Sequence, residues 1–304
     1  MKKVIAFILF VIVVAILTII LWKLLSNIFL LSSYSKEKTP VTPGTTGVPN
    51  SSFLHFYPEN LFGFDNTAPQ ISKKDLGEIS PLSGKLSIVK DNSSFQDKKN
   101  EYLYIVANIN NDEPVKISGM LLQSLTSNKL AIIPKGVEKY ILGQINVEKD
   151  IYLNPGEAAF VHTGKSPLGV SFKTNMCSGY LNEFKKFAPK LPTTWCPSPR
   201  SLMPNTVENI KKYGDSCISY VQHMPRCSYY KKTNIKVSKQ CESRLKTIFT
   251  YNWCVDKYQD TKQFYYPGAV WHIYLQRDSK LWKDKYEVIK LMDSDSKTVS
   301  AISY

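Results

Sequence analysis

The sequence predicts a mainly β protein, in which a β-sandwich is interrupted by a disulfide-stapled helical insertion and preceded by a transmembrane helix. Three observations support this fold class. About nine short runs alternate apolar and polar residues with a period of two, which is typical of half-buried strands. All six cysteines lie in one stretch that has helical periodicity. An almost entirely apolar run follows the first three residues.

The apolar run of residues 4–22, from Val4 to Trp22, predicts a membrane anchor. Thr18 is its only polar residue, and a helix of this length rises ~28 Å, close to the thickness of the hydrocarbon core. A cleaved signal peptide would have a shorter apolar region and a small-residue cleavage site, but no Ala pair follows this run. We therefore favour an uncleaved anchor, with the lipid bilayer as its partner, over a signal peptide or a buried core helix.

The anchor and its flank occupy residues 1–34, and a tether or stalk follows over residues 35–79. Pro, Gly, Thr and Ser dominate residues 35–52, a composition typical of an extended and solvated linker. Residues 53–79 have no regular period but contain several aromatic side chains. We expect this second part to lie on the surface of the domain or to form a partly ordered stalk.

The strand-like runs fill residues 80–173 and 263–304 and predict the sandwich. The clearest run covers residues 101–109, where every second residue from Leu103 to Ile109 would share one face. Turns rich in Asn and Pro separate the runs. Many short strands at near-regular spacing are typical of a β-sandwich.

Residues 174–262 interrupt the sandwich and have helical periodicity. Apolar residues recur at intervals of three and four over residues 206–224 and again over residues 238–258, and residues 180–187 predict a short third helix. Asn205 is placed to cap the first of these helices. Helices this short bury little apolar surface by themselves, so we expect disulfides to supply the missing stability.

The insertion contains every cysteine of the chain, and an even number behind an export-type segment predicts three disulfides. The residues are Cys177, Cys196, Cys217, Cys227, Cys241 and Cys254. Their pairing is open, and the alternatives are zinc coordination with His223 as a further ligand, or free buried thiols. Disulfides persist outside the cytoplasm. They therefore favour a cell-membrane protein with an extracytoplasmic C-terminal domain and a cytoplasmic N-terminus, the orientation that Lys2 and Lys3 also favour.

The chain has a formal net charge of +14, and much of this charge lies in the insertion. Fifteen Lys and Arg residues occur there against six Asp and Glu residues, with Tyr and Trp side chains between them. Such a mixture is able to hold polyanions through charge and stacking. The candidate contacts for DNA or an anionic glycan are Tyr229, Tyr230, Lys231 and Lys232. The simpler interpretation is a solvated Lys face around a small aromatic core.

Three motifs in the strand-like segments resemble the lamin tail domain as it occurs in bacterial surface proteins. They are NEYLYIVANINNDEPVKISGMLLQS at residues 100–124, LNPGEAAFVHTG at 153–164 and VIKLMDSDSKTVSAISY at 288–304, in the order that the family has. Met120 stands where a Trp is usual in that family, and Ser296 and the Lys after it stand where a Gly is frequent. The resemblance implies an immunoglobulin-like sandwich that binds or scaffolds and has no shared catalytic centre. Bacterial members are similar to this chain in carrying an insertion.

No pattern of a known catalytic or cofactor site occurs: HExxH, GxSxG, Walker and Rossmann glycine motifs are all missing from the sequence. Asp293 and Asp295 lack the rest of a calcium loop, so they predict a turn between two strands. The S-x-x-K match at residues 228–231 has no partner motifs in the right order, and we attribute it to chance. His162 and His272 lie on predicted strands, and we interpret them as structural residues rather than metal ligands.

The sequence therefore predicts a single-pass, membrane-anchored binding or structural protein that is not an enzyme and needs no cofactor or metal. Its partner beyond the bilayer would be a protein, glycan or DNA at the cell surface. The alternative is a cell-surface receptor for polyanions that binds through the basic aromatic insertion. A hydrolase of unrecognised type is a third hypothesis. The composition, with 43% hydrophobic and 21% charged residues, excludes wholesale disorder.

Overall fold

The computed structural model describes residues 69–90, 101–232, 235–266 and 268–304. The predicted membrane anchor, residues 4–22, lies outside these ranges. Within them, no helix combines the length and the apolar character that a membrane span requires.

The described residues contain eleven strands, numbered here along the chain. They are β1 (Leu86–Val89), β2 (Tyr102–Ala107), β3 (Val115–Lys116), β4 (Leu121–Ser124), β5 (Leu130–Ile132), β6 (Tyr152–Leu153), β7 (Ala158–His162), β8 (Phe172–Lys173), β9 (Trp271–Tyr274), β10 (Val288–Met292) and β11 (Thr298–Ser303). Most of them coincide with runs that the sequence predicts as strands, and most are shorter than those runs.

Most of the strands belong to two sheets. The first sheet has the order β1-β2-β7-β9-β8, and the second has the order β11-β10-β4-β5, while β3 and β6 form a separate pair. Neighbouring strands are antiparallel, with one exception among the described residues: β7 and β9 run parallel. This parallel pair requires a long connection, and the insertion lies in it.

The two sheets pack through one buried apolar cluster, which makes the body of the domain sandwich-like. Leu103 and Ile105 of β2 enter the cluster from the first sheet. Leu122 of β4 and the pair Ile289 and Leu291 of β10 enter it from the second. All five are fully buried, so each sheet removes one apolar face from water. The sheet-rich body that the sequence predicts is confirmed.

One strand prediction is wrong at its end. β2 ends at Ala107, because Asn108 begins a turn in which its side chain accepts a hydrogen bond from the backbone N–H of Asn110 at 3.0 Å. Ile109 therefore does not continue the inward face of the strand and is 46% exposed.

Helices lie mainly in the insertion. Among the described residues they are α1 (Lys73–Leu76), α2 (Pro199–Leu202), α3 (Val207–Tyr213), α4 (Asp215–His223), α5 (Lys239–Ile248) and α6 (Tyr251–Tyr258), with a 3-10 helix at Ser178–Glu183. The 3-10 helix stands where the sequence predicts a short third helix.

The two longer predicted helices are each divided into two. Gly214, with a φ of 92°, separates α3 from α4 in a conformation that glycine adopts without strain. Thr250 separates α5 from α6, since its side chain caps the N-terminus of α6 from an extended backbone. The N-cap of α3 is Thr206, whose side-chain hydroxyl accepts a hydrogen bond from the backbone N–H of Asn209 at 3.2 Å. The prediction of Asn205 as the cap is therefore wrong.

The three predicted disulfides are present, and the structure resolves their pairing. The pairs are Cys177–Cys254, Cys196–Cys227 and Cys217–Cys241, with Cα atoms 5.8, 5.7 and 6.0 Å apart. No cysteine of the chain is free, so the zinc and free-thiol alternatives are wrong. Cys217 and its partner join α4 to α5, and Cys254 joins α6 to the start of the 3-10 helix.

The core of the insertion is continuous with the outer face of the first sheet, the face turned away from the sandwich core. Phe172 of β8 and Tyr274 of β9 belong to the same buried cluster as Leu245 of α5. The hydroxyl of Tyr251 in α6 donates a hydrogen bond to the carbonyl of Tyr140 at 2.9 Å. The insertion thus packs directly on the strands that precede and follow it.

The described end of the predicted tether lies along the second sheet, whereas residues 35–68 are outside the described part of the chain. Ile79 forms a parallel bridge with Thr298 of β11. The N–H of Thr298 donates to the carbonyl of Glu78 at 2.7 Å, and the N–H of Ser80 donates to the carbonyl of Thr298 at 2.9 Å. The chain thus enters the sandwich beside β11.

Candidate functional site

The outer face of the first sheet carries a layer of stacked rings. The register of the parallel strands β7 and β9 places Phe160 beside His272 and His162 beside Tyr274. The ring centroids of these pairs are 4.8 and 4.5 Å apart, and their planes are 12° and 15° from parallel. Because side chains alternate between the faces of a strand, the residues between these rings, such as Val161, enter the sandwich core.

His162 and His272 form a buried hydrogen bond within this layer. Nε2 of His162 lies 3.0 Å from Nδ1 of His272, and each residue is 2% exposed. Burial lowers the pKa of both imidazoles, that of His272 to about 3, and the neighbouring His272 further lowers the pKa of His162. Both rings are therefore neutral at physiological pH. The sequence analysis interprets both histidines as structural residues but does not predict the hydrogen bond between them.

The hydrogen bond couples the tautomers of the two rings. When Nε2 of His162 donates, Nδ1 of His272 accepts, and Nε2 of His272 must carry the proton of that ring. When Nδ1 of His272 donates, its Nε2 is an acceptor. Nε2 of His272 makes no hydrogen bond to the described residues. The pair is therefore able to offer a ligand either a donor or an acceptor at that atom.

A loop between the 3-10 helix and α2, here called the cover loop (residues 184–196), lies over this face of the sheet. Asn182 holds it: the side-chain amide donates to the carbonyl of Leu191 at 2.8 Å and accepts from its N–H at 3.1 Å. Phe187 packs edge-on against the ring of Phe172, with centroids 5.9 Å apart. These contacts keep the loop close to the sheet.

A pocket of about 180 Å³ lies between the cover loop and the sheet. From the sheet side, Phe160, Val270 and His272 line it. From the cover loop, the lining side chains include Pro189, Lys190, Pro192, Thr194 and Trp195. No Asp or Glu is among the lining residues.

One wall of the pocket is aromatic and flat. Trp195 stacks on Tyr266, with ring centroids 4.7 Å apart and planes 16° from parallel. Gly268 also lines the pocket, and a Cβ at this position would lie 3.2 Å from the ring of Tyr266. The lack of a side chain at Gly268 thus lets the chain pass close to this stack.

Lys190 sets the charge of the pocket. Its side chain is exposed, and it forms no ion pair with any described residue. The neutral His272 adds no charge. A cationic ligand would meet no carboxylate here, so the pocket suits a neutral or anionic ligand.

None of the four candidate polyanion contacts lines this pocket. The ring of Tyr229 packs against Tyr180, and its hydroxyl accepts the N–H of Tyr251 at 3.1 Å. Lys231 pairs with Glu183 at 2.8 Å. The structure therefore uses Tyr229 inside the insertion, where it is not available to stack on a nucleic-acid base.

Tyr230 and Lys232 differ in their availability. The ring of Tyr230 meets that of Tyr220 edge-on at 5.6 Å, which engages part of its surface. Lys232 is exposed and forms no ion pair with the described residues. Of the two candidate lysines, Lys232 is the one without an ion pair among the described residues.

The predicted turn at Asp293 is confirmed. Its carboxylate accepts the N–H groups of Asp295 and Lys297, both at 2.9 Å, and Ser296 has a φ of 63°. The side-chain hydrogen bond with Ser80, followed by the bonds from these backbone N–H groups, holds the pKa of Asp293 below its usual value. Within the described residues, no group of three or more His, Cys, Asp or Glu side chains is arranged to hold a metal ion.

Comparison with protein-family models, with curated proteins and with solved structures finds no match to this chain. The structure by itself defines the class: a disulfide-bonded, sheet-rich domain with a small pocket between its first sheet and an inserted loop. Sequence reasoning missed this pocket. A usable signal was the spacing of Phe160 and His162 on one strand and of His272 and Tyr274 on another, since each pair shares a face.

Proposed function

We propose that the protein is a single-pass, membrane-anchored, extracytoplasmic binding module without catalytic activity. Residues 4–22 would lie in the bilayer, with the N-terminus in the cytoplasm. The pocket under the cover loop would be the ligand site.

The observation that carries this proposal is the pocket itself, which lies between the cover loop and the first sheet and has apolar and aromatic walls. A general base is most effective with a pKa near the working pH, whereas burial lowers the pKa of His272 to about 3. No carboxylate lines the pocket to raise it. A neutral imidazole between apolar walls suits the recognition of a ligand better than proton transfer.

The lamin-tail-like assignment belongs to the same proposal. The motif at residues 100–124 covers β2 to β4, the motif at 153–164 covers β7, and the motif at 288–304 covers β10 and β11. All three thus fall on strands of a sandwich-like body, which supports an immunoglobulin-like arrangement. An immunoglobulin-like domain would use such a body as a rigid support for binding loops.

The three disulfides support an extracytoplasmic location. Disulfides form and persist in oxidising compartments and are rare where glutathione keeps thiols reduced. All six sulfurs are buried, so the bonds are part of the folded core of the insertion.

Maleimide labelling of the membrane-embedded protein tests the topology. We expect no mass shift on intact cells before reduction, and labelling of all six thiols after denaturation and reduction. Labelling of the native thiols without reductant would overturn the extracytoplasmic location.

Two single-cysteine additions give a matched control for orientation. A Lys232→Cys variant should react with a membrane-impermeant maleimide on intact cells, because Lys232 is exposed. A Lys3→Cys variant should react only after the cells are permeabilised. Labelling of Lys3→Cys but not of Lys232→Cys on intact cells would place the N-terminus outside the cell and contradict the proposed topology.

A receptor for polyanions is the second candidate, favoured by the exposed Lys232 and by the excess of basic residues in the insertion. Because Tyr229 is engaged internally, attraction would rest on charge, and affinity should fall steeply with salt. We expect Lys231→Met with Lys232→Met to weaken DNA binding at low salt. Binding that is independent of salt, or absent, would remove this candidate.

A further inference from the structure

The pocket under the cover loop has room for one six-membered ring. Its volume is about 180 Å³, and an apolar cavity of about 150 Å³ is enough to hold benzene. A single ring with a few further atoms therefore fits within this volume.

The walls favour a flat, apolar ring. Val270 contributes an aliphatic surface that is 5% exposed, and Pro189 and Pro192 contribute ring carbons. The stack of Trp195 on Tyr266 adds aromatic surface. Aromatic ligands gain from such surroundings beyond the area that they bury.

Two of the polar side chains that line the pocket differ in exposure. Lys190 is exposed, whereas His272 is 2% exposed, and the two come from different elements. Lys190 supplies a positive charge without an ion-pair partner among the described residues. His272 supplies a hydrogen-bonding nitrogen whose role follows the tautomer set by His162.

We propose that the pocket binds a single aromatic ring that carries a carboxylate at one end and a hydroxyl at the other, the chemistry of 4-hydroxybenzoate. The carboxylate pairs with Lys190, the ring lies against Val270, and the hydroxyl reaches Nε2 of His272. This inference rests on the proposed binding role and extends it to a class of ligand.

Saturation-transfer NMR on the full chain in lipid nanodiscs tests the ligand class. The probes are 4-hydroxybenzoate, its neutral analogue 4-hydroxybenzamide, and benzoate, which lacks the hydroxyl. We expect 4-hydroxybenzoate to bind with a Kd of about 1 mM or lower. The amide should bind about tenfold more weakly and benzoate about fivefold more weakly, since each lacks one polar contact.

Variants assign each contact to its residue. Lys190→Met should reduce the affinity for 4-hydroxybenzoate to that for the amide and leave the amide unchanged. Lys211→Met, which removes an exposed lysine of the insertion that does not line the pocket, should change neither affinity. His272→Phe keeps a ring in the stack and should remove the preference for 4-hydroxybenzoate over benzoate.

Three outcomes would overturn the inference. Equal affinities for the acid and the amide would exclude recognition of the carboxylate at Lys190. Identical binding by His272→Phe and the unchanged protein would exclude the hydroxyl contact. Absence of saturable binding for all three probes would exclude the ligand class. The labelling test of topology is independent of these results, so a failure of the ligand and a failure of the proposed function are distinguishable.

Discussion

The sandwich and the insertion bury their cores by different means. The sandwich cluster contains no cysteine and takes its residues from strands that are paired in two sheets. The insertion cluster contains all six cysteines and takes many of its residues from helices of four to ten residues. Backbone pairing therefore organises one core and covalent bonds organise the other. The stability of the insertion should therefore depend on the redox state of its surroundings, whereas that of the sandwich should not.

Reduction is expected to have the largest effect and to separate the two regions. Loss of the disulfides would cost about 2–4 kcal/mol each, which helices as short as α4 and α5 do not compensate. Hydrogen exchange with and without reductant should show loss of protection in α4 and α5 and retained protection in β2 and β10. Simultaneous loss in both regions would show a single cooperative unit and contradict the comparison.

A matched pair of cavity variants sharpens the comparison. Leu122 and Leu245 are both fully buried, one in each cluster. Leu122→Ala should lower the free energy of unfolding of the whole domain by about 2–5 kcal/mol. Leu245→Ala should lower the local free energy of unfolding by a similar amount, which should appear as faster hydrogen exchange in the insertion alone. Thermal unfolding measures the effect of Leu122→Ala, and hydrogen exchange measures that of Leu245→Ala. Faster exchange of β4 amides in Leu245→Ala would show that the two cores do not unfold separately.

Acidification should weaken the contact between the two regions through the histidine pair. The unfolded state binds protons at His162 and His272 with pKa values near 6.5, whereas the folded state excludes them because burial lowers both pKa values. Stability is therefore complete above pH of about 6.5 and is lost as the pH falls towards about 3. His272 accounts for about 2 kcal/mol of this loss between pH 7 and 5, and His162 adds a loss of the same sign.

His272→Phe is the control for this pH effect. Its free energy of unfolding, from urea titrations at each pH, should fall less steeply than that of the unchanged protein. Burial raises the pKa of Glu101, so this residue makes the free energy of unfolding rise as the pH falls. The contribution is the same in both proteins and cancels when their stabilities are compared. Equal slopes in the two proteins would show that the pair does not titrate on unfolding.

Removal of one hydroxyl from the insertion gives the smallest expected effect. Tyr229→Phe leaves the N–H of Tyr251 without its acceptor and should lower the free energy of unfolding by about 1 kcal/mol. Tyr230→Phe is the matched control, because Tyr230 contacts Tyr220 through its ring and the substitution keeps that ring. Urea titration of both variants should separate them; equal stability would argue against a structural role for the hydroxyl of Tyr229.

Local periodicity predicted the strands well, because alternation reports directly which face is buried. Leu103 and Ile105 show this, since both enter the sandwich core as predicted. The helix breaks were missed although signals existed: Gly214 is a helix terminator, and Thr250 precedes a new helical stripe. The pattern of apolar residues alone runs through both breaks and suggests continuous helices.

The pocket was beyond the reach of local patterns. Phe160 and His272 lie far apart in the sequence and meet only because β7 and β9 pair in parallel. The cover loop has no regular period, and its position depends on the hydrogen bonds between Asn182 and Leu191. The alternation of residues on each strand indicates which rings share a face, but it does not show that β7 pairs with β9 or where the cover loop lies. Those two facts became visible only in three dimensions.

The bridge between Ile79 and Thr298 gives the domain a defined point of mechanical attachment. A pull on the chain before Pro69 reaches the sandwich through the backbone bonds of Thr298 to Glu78 and Ser80. These bonds lie at β11, the edge strand of the second sheet. The pocket is lined by residues of β7 and β9 in the first sheet, so the point where the chain joins the sandwich and the pocket lie on different sheets.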